Sequence, residues 1–403
     1  MKIAGIIAEY NPFHSGHALH IEKTREKCGE DTAVVCVMSG SFVQRGEPAI
    51  LSKRARAEMA LVSGADLVLE NPTVWAVSSA ERFAAGGVAV LQALNLPIVL
   101  SFGSECGDIE KLQKSADLLG SDAVREGVKL AMKAGISYAA AREKALAAVY
   151  REGAELLRGP NNILGVEYLK AISALGAEKI EPFTFQRIAT EHDGAESGSL
   201  APASRLRELI RVGGDVSPYM PEAAHAILHR ELEAGLAPAN INNIESAILY
   251  RLRTMTEVEY SILPDASEGL WRRLMAAGSR EASLDAVLSS VKSKRYALSR
   301  IRRMVAAAAL GISAEDQRGL PPYIRVLGCN ERGREVLHLA RTAAKKPLIT
   351  KPATAKLLDP EAREIFDIDV RATDLFRLAL NDPENRLGGT EWTEGAVIVN
   401  NEK

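Results

Sequence analysis

Cysteine is scarce in this sequence: Cys28, Cys36, Cys106 and Cys329 are the only four in 403 residues, far apart and without a C-x-x-C pair. That spacing argues against a zinc ribbon and against a disulfide framework, and is that of reduced, mostly buried thiols in a cytoplasmic protein. Net charge is nearly absent too. With 50 Lys and Arg against 52 Asp and Glu, the formal charge is −2, so bulk charge selects no partner, although a local basic patch is compatible with it. Long apolar runs are missing. The opening MKIAGIIA reaches Glu9 after a few apolar residues, which is too short for a secretory core and far too short for a membrane span. Neither an internal repeat nor a low-complexity tract occurs. What is present is the mixture of an ordinary globular protein, 47% apolar and 25% charged, long enough for more than one domain and for a large core.

Over roughly the first 100 residues, short apolar runs alternate with amphipathic stretches. Residues 3–8, 32–38, 65–69 and 97–102 read as strands, and 14–27, 52–62 and 79–94 as helices, with Ser52 able to cap the second. Strands separated by helices predict right-handed βαβ units, so the fold class is α/β with a Rossmann-like parallel sheet. The pattern turns helical from Asp108 to Leu175, and 177–185 offers one more strand. The polar, small-residue segment 191–203 (EHDGAESGSLAPA) reads as a loop before a helix over 204–212. After Gly213 a mainly helical half follows, carrying a small α/β piece with strands at 324–327 and 348–350. The expected domains are therefore 1–213 and 214–403.

The most informative stretch is AEYNPFHSGHALH, residues 8–20, between the first strand and the first helix. Ligands of such folds bind beyond the carboxyl ends of the strands, where helix N-termini present free N–H groups. His14 and His17 fall at the opening of that helix, one turn apart, and suit nucleotide phosphates. Gly16 between them lets a phosphate or a ring approach the backbone closely. Farther on, PASRLR (202–207) places Ser204 as a helix cap and Arg205 or Arg207 as phosphate ligands.

The H-x-G-H arrangement after strand one resembles the signature of the nucleotidyltransferase superfamily that includes class I aminoacyl-tRNA synthetases. A K-M-S-K-S loop is missing, which argues against a synthetase. The strings MSGSFVQRGEPAI (38–50), GADLVLENP (64–72), FGSECGD (102–108), GPNNILGVEYLKA (159–171), FQRI (185–188) and VKSKRYALSRIRRM (291–304) occur in the same order as in bacterial tRNA(Met) cytidine acetate ligases, a resemblance running from residue 1 to about residue 330. Ser41, where Asn is expected, and Asn71, within the usual Glu-Leu-Pro, are departures; neither touches the phosphate motif, and Ser41 falls on the acid-binding side.

The resemblance implies an enzyme that makes acetyl-adenylate from ATP and acetate, releases pyrophosphate, and transfers the acetyl group to N4 of the wobble cytidine of elongator tRNA(Met). It implies His14 and His17 as catalytic residues. By matched position the ATP site comprises Ile7, Ala8, Glu9, Tyr10, Asn11, Pro12, Phe13, His14, Ser15, Gly16, His17, Ala18, Leu19 and His20, with Gly103, the Asn161–Asn162 pair, Arg187 and Ile188. Ser204 and Arg207 join them on the reading of 202–207. Mg²⁺ is expected to accompany ATP, without a protein metal site. Asn162 has an amide for an adenine edge or ribose hydroxyl, or else serves as a helix cap. Arg45, just beyond strand two, is placed for acid or RNA, or is simply solvated. His192 and Asp193 are candidates for a base in the second step.

Six basic residues, Lys292, Lys294, Arg295, Arg300, Arg302 and Arg303, crowd the segment 292–303. Leu298, Ile301, Val305 and Ala308 recur at helical spacing, so a basic helix is expected to face RNA phosphates while Tyr296 stacks on a base. Arg251, Arg253, Arg272 and Arg273 are candidates to extend the patch. Two other functions use the same start: an adenylyl- or cytidylyltransferase acting on a small phosphate ester, which has no use for a basic helix, and a nucleotide-sensing RNA binder without catalysis.

Overall fold

The computed structural model describes residues 1–187 and 200–400. The expected strands form as β1 (Ile3–Ala8), β2 (Ala33–Ser39), β3 (Leu67–Asn71), β4 (Ile98–Ser104) and β5 (Ile180–Gln186). β2 and β3 are buried along their whole length, because helices cover both faces of a parallel sheet. The first helices are α1 (Ser15–Cys28) and α2 (Lys53–Val62); Ser52 caps α2 by accepting the Ala55 N–H at 3.1 Å. The sheet order is β5-β4-β1-β2-β3-β6-β7, with β1 through β5 parallel. The chain steps outward from β1 to β3 and then returns to β4 on the other side of β1. That reversal opens a crevice beyond the carboxyl ends of β1 and β4, where such folds take ligands.

The small α/β piece of the second half does not stand apart. Its strands β6 (Ile324–Cys329), β7 (Leu348–Ile349) and β8 (Val397–Ile398) extend the same sheet, β6 running antiparallel to β3 with a register shift at Val68/Leu69. β6 is fully buried and closes an edge of β3 that would otherwise leave backbone groups unpaired. The core is continuous as well: Phe42, Val74, Trp75 and Val77 pack with Leu249, Tyr260, Ile301 and Phe366 of the helical half.

The junction between the halves holds a buried ionic cluster. Lys53 Nζ lies 2.8 Å from Glu70 Oε1 and 2.7 Å from Glu391 Oε2, and Arg325 Nη2 lies 3.5 Å from Glu391 Oε1. Tyr323 donates its hydroxyl to Asp369 at 2.6 Å, and Asp369 also accepts the Thr73 N–H. Thr373 donates to Glu391 at 2.8 Å and meets the Ser41 hydroxyl at 3.0 Å. Ser41 is therefore buried in this junction, against Thr373. Burial opposes charging Lys53, yet Glu391, Glu70 and Asp369 outweigh it and hold its pKa above normal. Burial pushes Glu70 upward, against the pull of Lys53. No helix among the described residues is long and apolar enough to cross a membrane.

Candidate active site

The crevice is floored by the segment that leaves β1. Tyr10, at φ 47°, turns the chain, and the rings of Tyr10, Phe13 and His17 stack edge to face or tilted within 5.4 Å of one another. Asn11 is buried and accepts the Ile50 N–H at 2.7 Å, while Glu9 accepts the Gln44 N–H at 2.9 Å. Ile7 faces the core, whereas Ala8, Ser15, Gly16, Ala18 and Leu19 are half-buried along the opening; Pro12 is buried behind it.

His14 occupies the N-cap position of α1. Its Nδ1 accepts the Gly16 N–H at 3.1 Å, and His17 Nδ1 accepts the His14 N–H at 3.2 Å. A neutral imidazole that accepts through Nδ1 carries its proton on Nε2. Both rings therefore offer Nε2–H donors, stacked with centroids 3.8 Å apart and planes 31° apart. Burial, then the charges of Arg187 and Arg207, holds His14 down at about 3. Burial and the neighbours His14, Arg187 and His20 hold His17 well below the imidazole range. His20 is likewise held at about 3, by burial first. Its Nε2 lies 3.2 Å from Ser101 Oγ on β4, so this ring braces α1 against the sheet.

The matched residues after β4 and β5 converge here. Gly103 lies so close to Arg187 that a Cβ on it would stand 2.6 Å from Arg187 Cγ, and Arg187 Nη1 donates to Asn161 Oδ1 at 3.3 Å. Asn162 is the third residue of the helix Pro160–Ala174, not its cap; its Oδ1 accepts the Cys106 N–H at 3.2 Å. The capping oxygens come from Glu105, whose carboxylate accepts the N–H groups of Asn161 at 3.0 Å and Asn162 at 2.6 Å. Arg207 donates to the Asn11 carbonyl at 2.8 Å, which brings the helix Ala203–Arg211 to the same crevice. Ser204 does not cap that helix: Pro202 holds the N-cap position, and Ser204 is exposed in the first turn. Arg205 is exposed as well, 3.7 Å from Glu208. Ile188, His192 and Asp193 lie outside the described residues.

Two residues that matter here carry no sequence signal of their own. Glu105 is one. Arg56 is the other: fully buried in α2, it donates to the carbonyls of Leu51, Glu9, Ser39 and Gly40. It thereby ties together the chain ends that leave β1 and β2, and burial lowers its pKa to about 10.

The basic segment is placed differently from expectation. Lys292, Lys294 and Arg295 precede the helix Leu298–Leu310, which carries only Arg300, Arg302 and Arg303. Arg295 and Arg300 pair with Glu268, Arg303 with Asp265 and Arg302 with Glu47, all within 3.3 Å. Tyr296 is buried and donates its hydroxyl to the Glu268 carbonyl, so it cannot stack on a base. Of the extended patch, Arg251 pairs with Glu259 and Arg253 donates to the Glu281 carbonyl. Arg272 lies over Trp271 and Arg273 over Tyr296. Lys292 and Lys294 are exposed, and neither has an ion pair among the described residues.

Residues 1–391 match the family model described as HIGH Nucleotidyl Transferase. A tRNA(Met) cytidine acetate ligase of Caldicellulosiruptor saccharolyticus is 40% identical over 94% of this chain and 94% of its own length. One of Acetivibrio thermocellus is 34% identical over 99% and 100%. The crystal structure of Thermotoga maritima TmcAL superposes with a TM-score of 0.94 in its apo form I and 0.92 in form II, which is bound with alpha-thio ATP; each is 34% identical and covers 99% of this chain and 100% of its own. With the crevice, the paired imidazoles and 34–40% identity over nearly the whole chain in agreement, the chain belongs to the tRNA(Met) cytidine acetate ligase family of HIGH nucleotidyl transferases.

Proposed function

We propose that the protein activates acetate with ATP and acetylates N4 of the wobble cytidine of elongator tRNA(Met). The observation that carries this is the pair of neutral, stacked imidazoles with Nε2–H donors at the start of α1, Arg187 and Arg207 beside them. An acetate oxygen attacks the α-phosphorus, the bond to the bridging oxygen breaks, and pyrophosphate leaves. Donors already aimed where charge develops lower that barrier; each contributes about 2.7–4 kcal/mol, or roughly 10² to 10³ in rate. The cytidine amine then attacks the acetyl carbonyl, AMP departs, and the amine loses a proton. Residues 1–213 house the activation chemistry and 214–403 serve the RNA.

Among the described residues no cluster of three or more His, Cys, Asp or Glu could hold a metal. Mg²⁺ is proposed to accompany the triphosphate and to balance its charge when bound. The four cysteines are free, as suits a cytoplasmic enzyme.

Acetate-dependent exchange of labelled pyrophosphate into ATP tests this reading. Exchange appearing only with acetate supports it, and transfer to added tRNA completes it. ATP binding without exchange with any small acid would overturn it in favour of a nucleotide-sensing RNA binder.

A further inference from the structure

The turn that follows β2 connects the nucleotide crevice to the helical half. It is closed by Val43 N–H to the Glu47 carbonyl at 3.0 Å and Gly46 N–H to the Val43 carbonyl at 2.9 Å, and Phe42 and Val43 are buried beneath it. One side is anchored to the crevice, where Gln44 N–H donates to Glu9 at 2.9 Å. The other is anchored to the helix Leu298–Leu310, where Arg302 Nη1 lies 2.8 Å from Glu47 Oε1. Gly46, at φ 75°, passes so close to that helix that a Cβ would stand 2.6 Å from the Arg302 carbonyl oxygen. Only glycine fits there.

Arg45 sits at the tip of this turn, exposed. Among the described residues it has no hydrogen bond and no ion pair. Arg207, tied to the nucleotide loop through the Asn11 carbonyl, feels the carboxylates of Glu9 and Glu47 first and then the charges of Arg211 and Arg45, both exposed and unpaired among the described residues. Arg45 is thus an unpaired guanidinium on a turn whose two sides are fixed, one to the nucleotide loop and one to the helical half. A guanidinium without a carboxylate partner binds phosphate with fork geometry. The arginines on the neighbouring helix are already paired with carboxylates, so they are not the free charges at this turn.

Resting on the reading above, we propose that Arg45 binds a backbone phosphate of the acceptor RNA beside the reacting base, held between the two halves by the Glu9–Gln44 and Glu47–Arg302 anchors. The position favours RNA over ATP: the turn follows β2, across β1 from β4, which carries Gly103, and from β5, which leads to Arg187, and it meets the helical half through Arg302.

Full-length wild type, Arg45→Ala, Arg45→Lys, Glu47→Gln and the Arg45→Ala/Glu47→Gln pair would be compared for affinity to an elongator tRNA(Met) transcript by fluorescence anisotropy at several salt concentrations. The KM for ATP in acetate-dependent exchange would be measured alongside. Losing one charged contact should weaken RNA binding by about tenfold or more and flatten the slope of log affinity against log salt by about 0.7–0.9. Arg45→Lys should keep most of the slope. Glu47→Gln should cost less than Arg45→Ala and add nothing further in the double variant, because it acts through the position of Arg45. Unchanged RNA affinity in Arg45→Ala overturns the inference, as does a loss that falls on the KM for ATP. Additive losses in the double variant overturn the positioning by Glu47. The binding arm needs no acetylation, so wild type that binds RNA but shows no exchange would count against the ligase reading alone.

Discussion

His14 performs two tasks that one substitution confounds and a second separates. As the N-cap of α1 it accepts the Gly16 N–H through Nδ1, and as a neutral ring it presents Nε2–H to the crevice. His14→Ala removes both. Loss of the cap costs about 0.5–2 kcal/mol of stability, while loss of the donor costs about 2.7–4 kcal/mol of barrier, or roughly 10² to 10³ in rate. His14→Asn puts a strong capping residue at the same position, but its carboxamide is too short to reach the place of Nε2. Stability should return to within about 0.5 kcal/mol of wild type, and exchange should stay low. Urea midpoints and acetate-dependent pyrophosphate exchange, measured on the same preparations, resolve the two. Near wild-type exchange in His14→Asn would refute the role given to Nε2–H. So would a loss in His14→Ala no larger than its unfolded fraction.

Acid should destabilise the nucleotide-free protein. His14 and His20 are held at about 3 and His17 well below normal, while the unfolded chain protonates each near 6.5. The unfolded state then binds more protons below 6.5, so stability present above that value is lost as pH falls, by up to about 1.4 kcal/mol per unit for each ring; urea midpoints at pH 7 and pH 5 check the sign. Gly103→Ala would drive a Cβ against Arg187 and should raise the KM for ATP several-fold while leaving the far-UV spectrum intact. Lys292→Ala with Lys294→Ala should reduce RNA affinity and its salt dependence, whereas Arg300→Ala, which leaves Glu268 to Arg295 alone and takes the donor from Ser267, should show mainly in thermal unfolding. Lys53→Met removes the ion pair of Glu70 and leaves Glu391 with Arg325 at 3.5 Å; it should cost about 3–5 kcal/mol at pH 7 and less at pH 5, where carboxyl groups take up protons. An equal loss at both would mean that packing, not charge, is what fails.

Strands and helices of the first half were legible because they are local. Apolar runs such as AVVCVMS have no polar face to present, and Ser52 signals the helix it caps. The H-x-G-H string was legible for the same reason, since spacing along one helix turn fixes which way two side chains face. The cap of the Ala203–Arg211 helix was misread because proline at the N-cap position satisfies the backbone geometry that serine was expected to supply. Tyr296 was misread because a lone aromatic among basic residues looks the same whether it packs inward or waits for a base.

Sequence by itself determined the α/β class and the placing of two histidines at the opening of the helix after β1, since each depends on residues near one another in the chain. Only tertiary structure decided the rest. That Arg325, Asp369 and Glu391 are buried partners of Lys53 and Glu70, that β6 closes the edge of β3, and that Arg300 to Arg303 are spent on Glu268, Asp265 and Glu47 depends on segments distant in sequence. A charge reads as solvated until the fold brings its partner within a few ångströms, and no local pattern records that distance.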